Sequence, residues 1–183
     1  ASGTLATRLG LTEGQVTAAL AQLADAGMAE IRPDGAWSIS PGILAYARPV
    51  LSQNAQLAAL RPLMRDLADH YEETVTWFRR SGWNQVVVDV IPCARPVRYV
   101  LDAGVRFPLY VGAAGKAQLA QLPADEVDAY LANLSPKLFT RFAVDLGALR
   151  QELVATRTRG YALSIGERVE GAAAVAVPVF THE

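Results

Sequence analysis

The sequence predicts an α+β protein with two domains, and three observations support this prediction. Two short amphipathic helices and a β-hairpin follow one another within the first forty residues. Strand-like and helical segments then mix without strict alternation, which is typical of a mainly antiparallel sheet flanked by helices. At 183 residues and 51% hydrophobic composition, the chain can hold one large or two modest domains. The predicted boundaries are 1–40 for the first domain, 41–60 for a linker region and 61–183 for the second domain.

The first domain begins with a short helix that ends at Gly10. Thr12 then offers a capping oxygen, and Gln15 stands three residues later, as in a Thr-x-x-Gln capping box. The second helix starts at Glu13 and carries apolar residues at helical spacing as far as Gly27, which suits the left-handed position after a helix end. Two short helices joined by a turn that contains glycine predict a helix-turn-helix.

A β-hairpin follows the second helix. Pro33, Asp34 and Gly35 supply its turn, with β-forming residues on both sides. Helix, turn, helix and hairpin are the order of a winged helix, whose second helix normally enters the major groove of DNA. A winged helix needs a third helix to close its core, so we expect one ahead of Ala1. The residues expected to contact operator DNA are Gly14, Gln15, Thr17, Ala18 and Arg32.

The charge of the second helix is a poor match for DNA. Between Thr12 and Ala26 the charged side chains are Glu13 and Asp25, both acidic. Phosphate contacts by Lys and Arg dominate affinity for DNA, and the net charge of −1 adds no general attraction. An alternative therefore stays open, in which the protein senses a small molecule and its DNA binding is weak or lost.

The sequence of the linker region predicts a short helix over 43–53. Leu44, Ala47 and Leu51 share one side of it and are candidates for a dimer contact, because two winged helices together cover two half-sites. A further helix is expected to begin near Arg61 and Pro62, since proline is tolerated in the first turn. We therefore expect a homodimer or a larger assembly.

The second domain is predicted to contain strands, one extended segment and helices. The strands are expected over 74–79, 85–91, 96–101, 161–165 and 172–180, the extended segment over 107–111, and the helices over 113–122, 125–132 and 146–159.

Other classes of function are disfavoured. Cys93 is the single cysteine, which fits a reducing cytoplasm, and the distant His70 and His182 argue against a zinc site. Neither a nucleophile–base pair nor a metal cluster emerges, so we expect no catalytic residue, no metal and no cofactor. No apolar run approaches the roughly 18 residues of a membrane span, so the expected location is the cytoplasm, without a membrane partner.

Residues 104–117, GVRFPLYVGAAGKA, resemble the extended loop that enters a helix in the IclR-type bacterial transcription regulators. Further matches at the family's spacing are 96–99, 157–161, Glu167, Gly171 and 177–180. The resemblance covers essentially the whole chain. It implies a winged helix, a linker helix and an effector-binding domain related to GAF sensors, assembled as dimers or dimers of dimers. By that comparison the chain lacks the first winged-helix helix and a strand-and-helix portion beyond Glu183.

The glycine-rich turn at the start of the helix over 113–122 has two interpretations. Its spacing, Gly112-Ala-Ala-Gly115-Lys116, is not that of a nucleotide P-loop. A helix N-terminus without bulky side chains can bind a carboxylate through its N–H groups, whereas small residues also allow a helix to pack closely on a sheet. The residues alone leave both open, and the resemblance favours the ligand, since this turn forms part of the effector cavity in relatives.

The resemblance also implies which residues line the effector pocket. They are Tyr99, Phe107, Ala113, Ala114, Ser164, Ala172 and Ala174. Relatives usually carry an acidic pair where Ser164 and Ile165 stand, and larger apolar groups in place of Ala172 and Ala174. The pocket here is therefore expected to be larger and less charged.

Two aromatic residues indicate which class of effector to expect. Tyr99 and Phe107 would line the enlarged pocket, which favours an aromatic or otherwise bulky carboxylic acid over an acid of two or three carbons. Both rings could equally belong to the core.

Overall fold

The computed structural model describes residues 2–52, 55–137, 139–141 and 145–180, without the side chains of residues 51 and 52. Residue 53 at the end of the predicted linker helix, the side chain of Leu51, and His182 lie outside the described residues. The chain divides into two compact units, Ala1–Leu60 and Arg61–Glu183.

The first unit opens with α1 (Ser2–Leu9) and α2 (Glu13–Asp25). The predicted capping box is confirmed, because the Gln15 N–H donates to Thr12 Oγ1 at 3.3 Å and the Thr12 N–H donates to Gln15 Oε1 at 2.9 Å. Gly27 follows α2 with a φ of 71°, in the left-handed region as predicted.

A short antiparallel hairpin follows, made of β1 (Ala29–Ile31) and β2 (Trp37–Ile39). The Arg32 N–H donates to the carbonyl of Ala36 at 2.8 Å, and the Gly35 N–H donates to the carbonyl of Arg32 at 2.9 Å. The predicted turn therefore lies where the sequence indicates, and the order helix, turn, helix, hairpin is present.

Helix α3 (Leu44–Ser52) agrees with the predicted linker helix, but the predicted start of the next helix is wrong. Helix α4 (Ala55–Tyr71) begins six residues before Arg61, and Pro62 lies in its interior. An interior proline removes a hydrogen bond at a cost of about 3 kcal/mol. Burial of Met64 and Ala68 on the same helix offsets part of this cost.

The second unit starts with a three-stranded antiparallel sheet of β3 (Val75–Ser81), β4 (Asn84–Ile91) and β5 (Arg106–Pro108), in this order. The predicted strand over 96–101 is wrong, since this segment forms no strand. The reason is that residues 104–108 occupy that edge of β4: the Val87 N–H donates to Val105 O at 2.9 Å, and the Gly104 N–H donates to Val87 O. The extended segment predicted over 107–111 is correspondingly short, ending as a strand at Pro108.

Three helices and a second hairpin complete this unit. They are α5 (Gly112–Leu119), α6 (Ala124–Ala132), α7 (Leu146–Arg159), β6 (Ala162–Ile165) and β7 (Ala173–Ala176). The bounds of α7 agree with the prediction, and Gly160 ends it with a φ of 83°. Helix α5 ends earlier than the predicted Leu122, and β7 is shorter than the predicted strand over 172–180. Pro178, which lacks an N–H, cannot continue a ladder as a donor.

The main core of this unit includes leucines from the loop before α5 and from α5, α6 and α7: Leu109, Leu119, Leu131, Leu149 and Leu153. Every strand pair in the described residues is antiparallel. This agrees with the predicted α+β class. No helix within the described ranges combines the length and the apolar character needed to cross a membrane.

Candidate functional sites: the exposed face of α2 and the start of α5

The predicted DNA-contacting residues of α2 lie on its exposed side. Gly14, Gln15, Thr17 and Ala18 are all exposed, whereas Val16 is only 3% exposed and anchors the opposite side of the helix. These four residues are therefore accessible on the surface of α2, and their contact with DNA stays a prediction. Arg32 lies apart from them in the chain, immediately after β1.

Gln15 and Arg32, which are predicted to contact a base and a phosphate, already have partners within the protein. Gln15 Oε1 accepts hydrogen bonds from the N–H and the hydroxyl of Thr12 at 2.9 and 3.0 Å. A bidentate contact with adenine uses the oxygen and the nitrogen of the amide, so capping competes with base reading. Arg32 Nη2 lies 2.9 Å from Asp34 Oδ2, and both side chains are more than half exposed. Asp34 thus reduces the charge that Arg32 offers to a phosphate.

Close packing fixes the start of α5. A Cβ atom on Gly115 would lie 2.5 Å from the carbonyl oxygen of Leu109 and 2.6 Å from Gln85 Nε2. Gln85 is fully buried, and its Nε2 donates to the carbonyls of Pro108 at 3.2 Å and Val111 at 2.8 Å. The packing interpretation of the small residues therefore holds for Gly115.

The two alanines of this turn have different surroundings. The side chain of Ala113 is 2% exposed and packs with Ala117 and Ala162 in the core, so the space in front of it is already filled. Only its backbone N–H remains a candidate for a ligand contact. Ala114 is half-buried, which leaves it as the better candidate for contact through its side chain.

A carboxylate of the protein itself already occupies part of the helix start. The first N–H groups of a helix have no partner within it. At α5 the Gly112 N–H donates to Glu167 Oε2 at 2.9 Å, while Lys116 Nζ pairs with Glu167 Oε1. The Lys116 side chain is 7% exposed, so this ion pair is largely buried. The motif resemblance included Glu167 and Lys116, but nothing in their spacing indicates that they pair.

The residues predicted on the last two strands come together around one hairpin. Ser164 and Ala174 stand directly opposite each other in the β6–β7 ladder, and Ser164 is buried. Ala172 closes the connecting loop, because its N–H donates to Val169 O at 3.1 Å and its carbonyl accepts from the Gly166 N–H at 2.8 Å. Ala162, opposite Ala176 on the same hairpin, packs against α5. The hairpin therefore adjoins the helix that carries Ala113 and Ala114.

Arg168, which the sequence did not single out, lies over the rings of Phe107 and Tyr99, the two aromatic residues predicted to line the pocket. The guanidinium carbon of Arg168 lies 4.2 Å from the ring centroid of Phe107 and 5.3 Å from that of Tyr99, within the range of a cation–π contact. Phe107 also packs against the main core, whereas Tyr99 is 41% exposed. Since Glu167 reaches α5 and Arg168 reaches the rings, the loop between β6 and β7 joins the two parts of the predicted pocket.

A separate cavity of about 230 Å³ lies elsewhere in this unit. It is lined by Leu131, Ala132, Leu146, Gly147 and Arg150. None of the residues predicted to bind an effector lines it. It therefore gives no support to the predicted pocket.

Comparison with known proteins identifies the larger part of the chain. Residues 49–183 match the family model described as bacterial transcriptional regulator IclR, C-terminal. The HTH-type transcriptional regulator KipR of Bacillus subtilis (strain 168) is 27% identical over 175 residues, which is 95% of this chain and 70% of KipR. Other curated relatives are longer still, and the chain spans as little as 54% of some.

Solved structures show the same fold. The IclR transcriptional regulator of Alicyclobacillus acidocaldarius has 25% sequence identity and a TM-score of 0.83, with 98% of this chain and 73% of that chain covered. An IclR homolog from Microbacterium hydrocarbonoxydans was solved with 4-hydroxybenzoate and has a TM-score of 0.74. The superposition covers 98% of this chain and 75% of the homolog. Its identity of 17% supports a common fold and nothing finer.

Proposed function

Because the chain belongs to the IclR family of bacterial transcriptional regulators, we propose that the whole protein binds operator DNA and that a small organic acid controls its affinity for that DNA. The observation that carries this proposal is the order of elements: α1, α2 and a β-hairpin precede the part of the chain that matches the family model. The exposed residues of α2 and the hairpin would contact DNA. The acid would bind in the second unit.

The chemistry near α5 supports an acid as the effector. Arg168 brings a positive charge to Phe107 and Tyr99, whose rings offer apolar surface to the body of a ligand. Ala172 and Ala174 add no bulk to the adjoining hairpin. Aromatic acids are therefore the first candidates, and 4-hydroxybenzoate, the molecule bound by a protein of the same fold, is a reasonable probe.

Exposed apolar side chains on α3 and α4 support a homodimer or a dimer of dimers. Leu44 is 67% exposed on α3, and Leu63 and Tyr71 are 58% and 63% exposed on α4. Exposed apolar surface on each of these helices is surface that a second subunit would cover in a dimer. A dimer would place two copies of α2 on two half-sites of one operator.

The full-length protein tests the proposal directly. Sequencing the DNA fragments that it enriches from its own genome should give one shared sequence, and fluorescence anisotropy should show that an acid changes the affinity for it. Gln15→Ala should relax the preference at one base pair by about 1–3 kcal/mol. Arg32→Ala should weaken binding to all sequences and reduce the salt slope by about one. No enrichment, or no effect of either change on affinity, would contradict the DNA-binding role.

A second candidate function, a small-molecule sensor with weak or lost DNA binding, is favoured by the charges of the first unit. Glu13 and Asp25 are the charged residues of α2, Gln15 is engaged in the capping box, and Arg32 pairs with Asp34. The same anisotropy series separates the two functions. A sensor would bind the acid while showing only weak DNA binding of equal strength for every sequence.

A further inference from the structure

Arg168 carries a hydrogen-bond donor that is buried inside its unit. Its Nε atom is buried, and no acceptor for it exists among the residues that the structure describes. Its guanidinium carbon lies over the rings of Phe107 and Tyr99. A buried donor on a charged group that lacks an acceptor costs free energy, so such a group in a native protein calls for a ligand, an ion or water.

The nearby carboxylates of the same loop have other partners. Both oxygens of Glu167 are taken, one by the Gly112 N–H and one by Lys116 Nζ. Glu170 Oε1 lies 3.8 Å from Arg141 Nε. Arg168 forms no ion pair within the described ranges of the chain. Lys116 balances the charge of Glu167, whereas no described carboxylate pairs with Arg168.

We propose that Arg168 binds the carboxylate of the effector, an inference that rests on the function proposed above. Aromatic rings contact the flat faces of a guanidinium and leave its N–H edge for hydrogen bonds. Along that edge, Nε and one terminal nitrogen form two parallel bonds to a carboxylate. A bound acid would thus satisfy the buried Nε and neutralise the charge in one step.

This assignment changes the role of the helix start. The first N–H of α5 is satisfied by Glu167, so the positive end of the helix dipole already faces a carboxylate. Lys116 and Glu167 hold the loop that carries Arg168, and Arg168 makes the charged contact. The backbone N–H groups of Ala113 and Ala114 are then secondary to the side chain of Arg168 in recognising an anion.

Isothermal titration of the full-length protein with five probes tests the assignment. The probes are acetate, pyruvate, benzoate, 4-hydroxybenzoate and the uncharged 4-hydroxybenzamide. Arg168→Gln should lower the affinity for the bound acid about 10- to 150-fold, the loss of a hydrogen bond to a charged group, and leave the affinity for the amide unchanged. Arg168→Lys, which keeps the charge without the planar fork, should give an intermediate loss. Arg106→Gln, an exposed arginine on β5, is the matched control and should change neither affinity.

The outcomes separate the inference from the function on which it rests. If the wild-type protein binds none of the acids, the proposed effector class fails and the role of Arg168 fails with it. If Arg168→Gln binds the acid as tightly as wild type, only the assignment to Arg168 is overturned. A lower melting temperature with unchanged affinity would show that the cation–π contact is purely structural, which also overturns it. If Arg168→Gln does not fold, Arg168→Lys decides alone, and wild-type affinity in that variant would count against the proposal.

Discussion

Helices α2 and α5 both begin next to a surface for which we propose a partner, but their first N–H groups are satisfied over very different distances along the chain. At α2 the capping box joins Thr12 to Gln15, three residues away. At α5 the Gly112 N–H binds the carboxylate of Glu167, 55 residues away. A local cap forms with the helix itself, whereas a distant cap exists only when the surrounding unit is folded. The start of α5 is therefore tied to the stability of its whole unit.

The strongest test of this comparison removes the distant cap. Glu167→Gln would leave Lys116 as an unpaired, largely buried charge, so we expect the free energy of unfolding to fall by about 3 kcal/mol. Urea denaturation measures this loss. The control is the pair Glu167→Gln and Lys116→Met in one chain, which removes both charges and should recover part of the stability. A single change that costs less than about 1 kcal/mol would show that the pair contributes little.

The second test makes one substitution, glycine to alanine, in each helix. Gly115→Ala forces a Cβ against the backbone oxygen of Leu109, so we expect a loss of about 1–3 kcal/mol. A Cβ added to Gly14 would meet nothing within 4 Å among the described residues beyond its chain neighbours and its own helix backbone, and the same change there should stabilise α2 by up to about 1 kcal/mol. Denaturation curves of the two variants should therefore shift in opposite directions. Equal shifts would contradict the distinction between a packed and an open helix start.

The third test removes the local cap and has the smallest expected effect. Thr12→Ala deletes the side-chain acceptor of the Gln15 N–H, which should cost about 1 kcal/mol. Thr12→Ser keeps the hydroxyl and serves as the control. Hydrogen exchange of the α2 amides reports on this helix and should speed up in the alanine variant alone. Faster exchange at α5 as well would mean that the cap is not local.

The same contrast explains how far the sequence predicted the fold. The bounds of α7, the hairpin turn after Arg32 and the capping box of α2 follow from neighbouring residues, and each is confirmed. The prediction of a strand over 96–101 is wrong because β5 pairs with β4 instead. Which segment occupies the edge of a sheet depends on the folded structure and not on neighbouring residues alone. The predicted start of α4 is wrong because the helix continues through Pro62, and packing of the helix offsets part of the cost of an interior proline.

The candidate site was predictable only in part, for the same physical reason. The sequence and its resemblance placed Ser164, Ala172 and Ala174, which the structure gathers around one hairpin. They did not single out Arg168, because its contacts with Phe107 and Tyr99 join residues that are far apart in the chain. A cation held by such contacts has no local signature that spacing or periodicity would reveal.

The contact at Gly115 has a practical consequence for anyone who wishes to turn this protein into a biosensor for a chosen molecule. A library that randomises the entire glycine-rich turn would lose most of its members to misfolding, because a Cβ at Gly115 meets backbone and Ala113 faces packed alanines. Diversity is better directed to Ala114, Ala172 and Ala174, which are half-buried or exposed. Substitutions at these three positions would change ligand specificity without disturbing the fold.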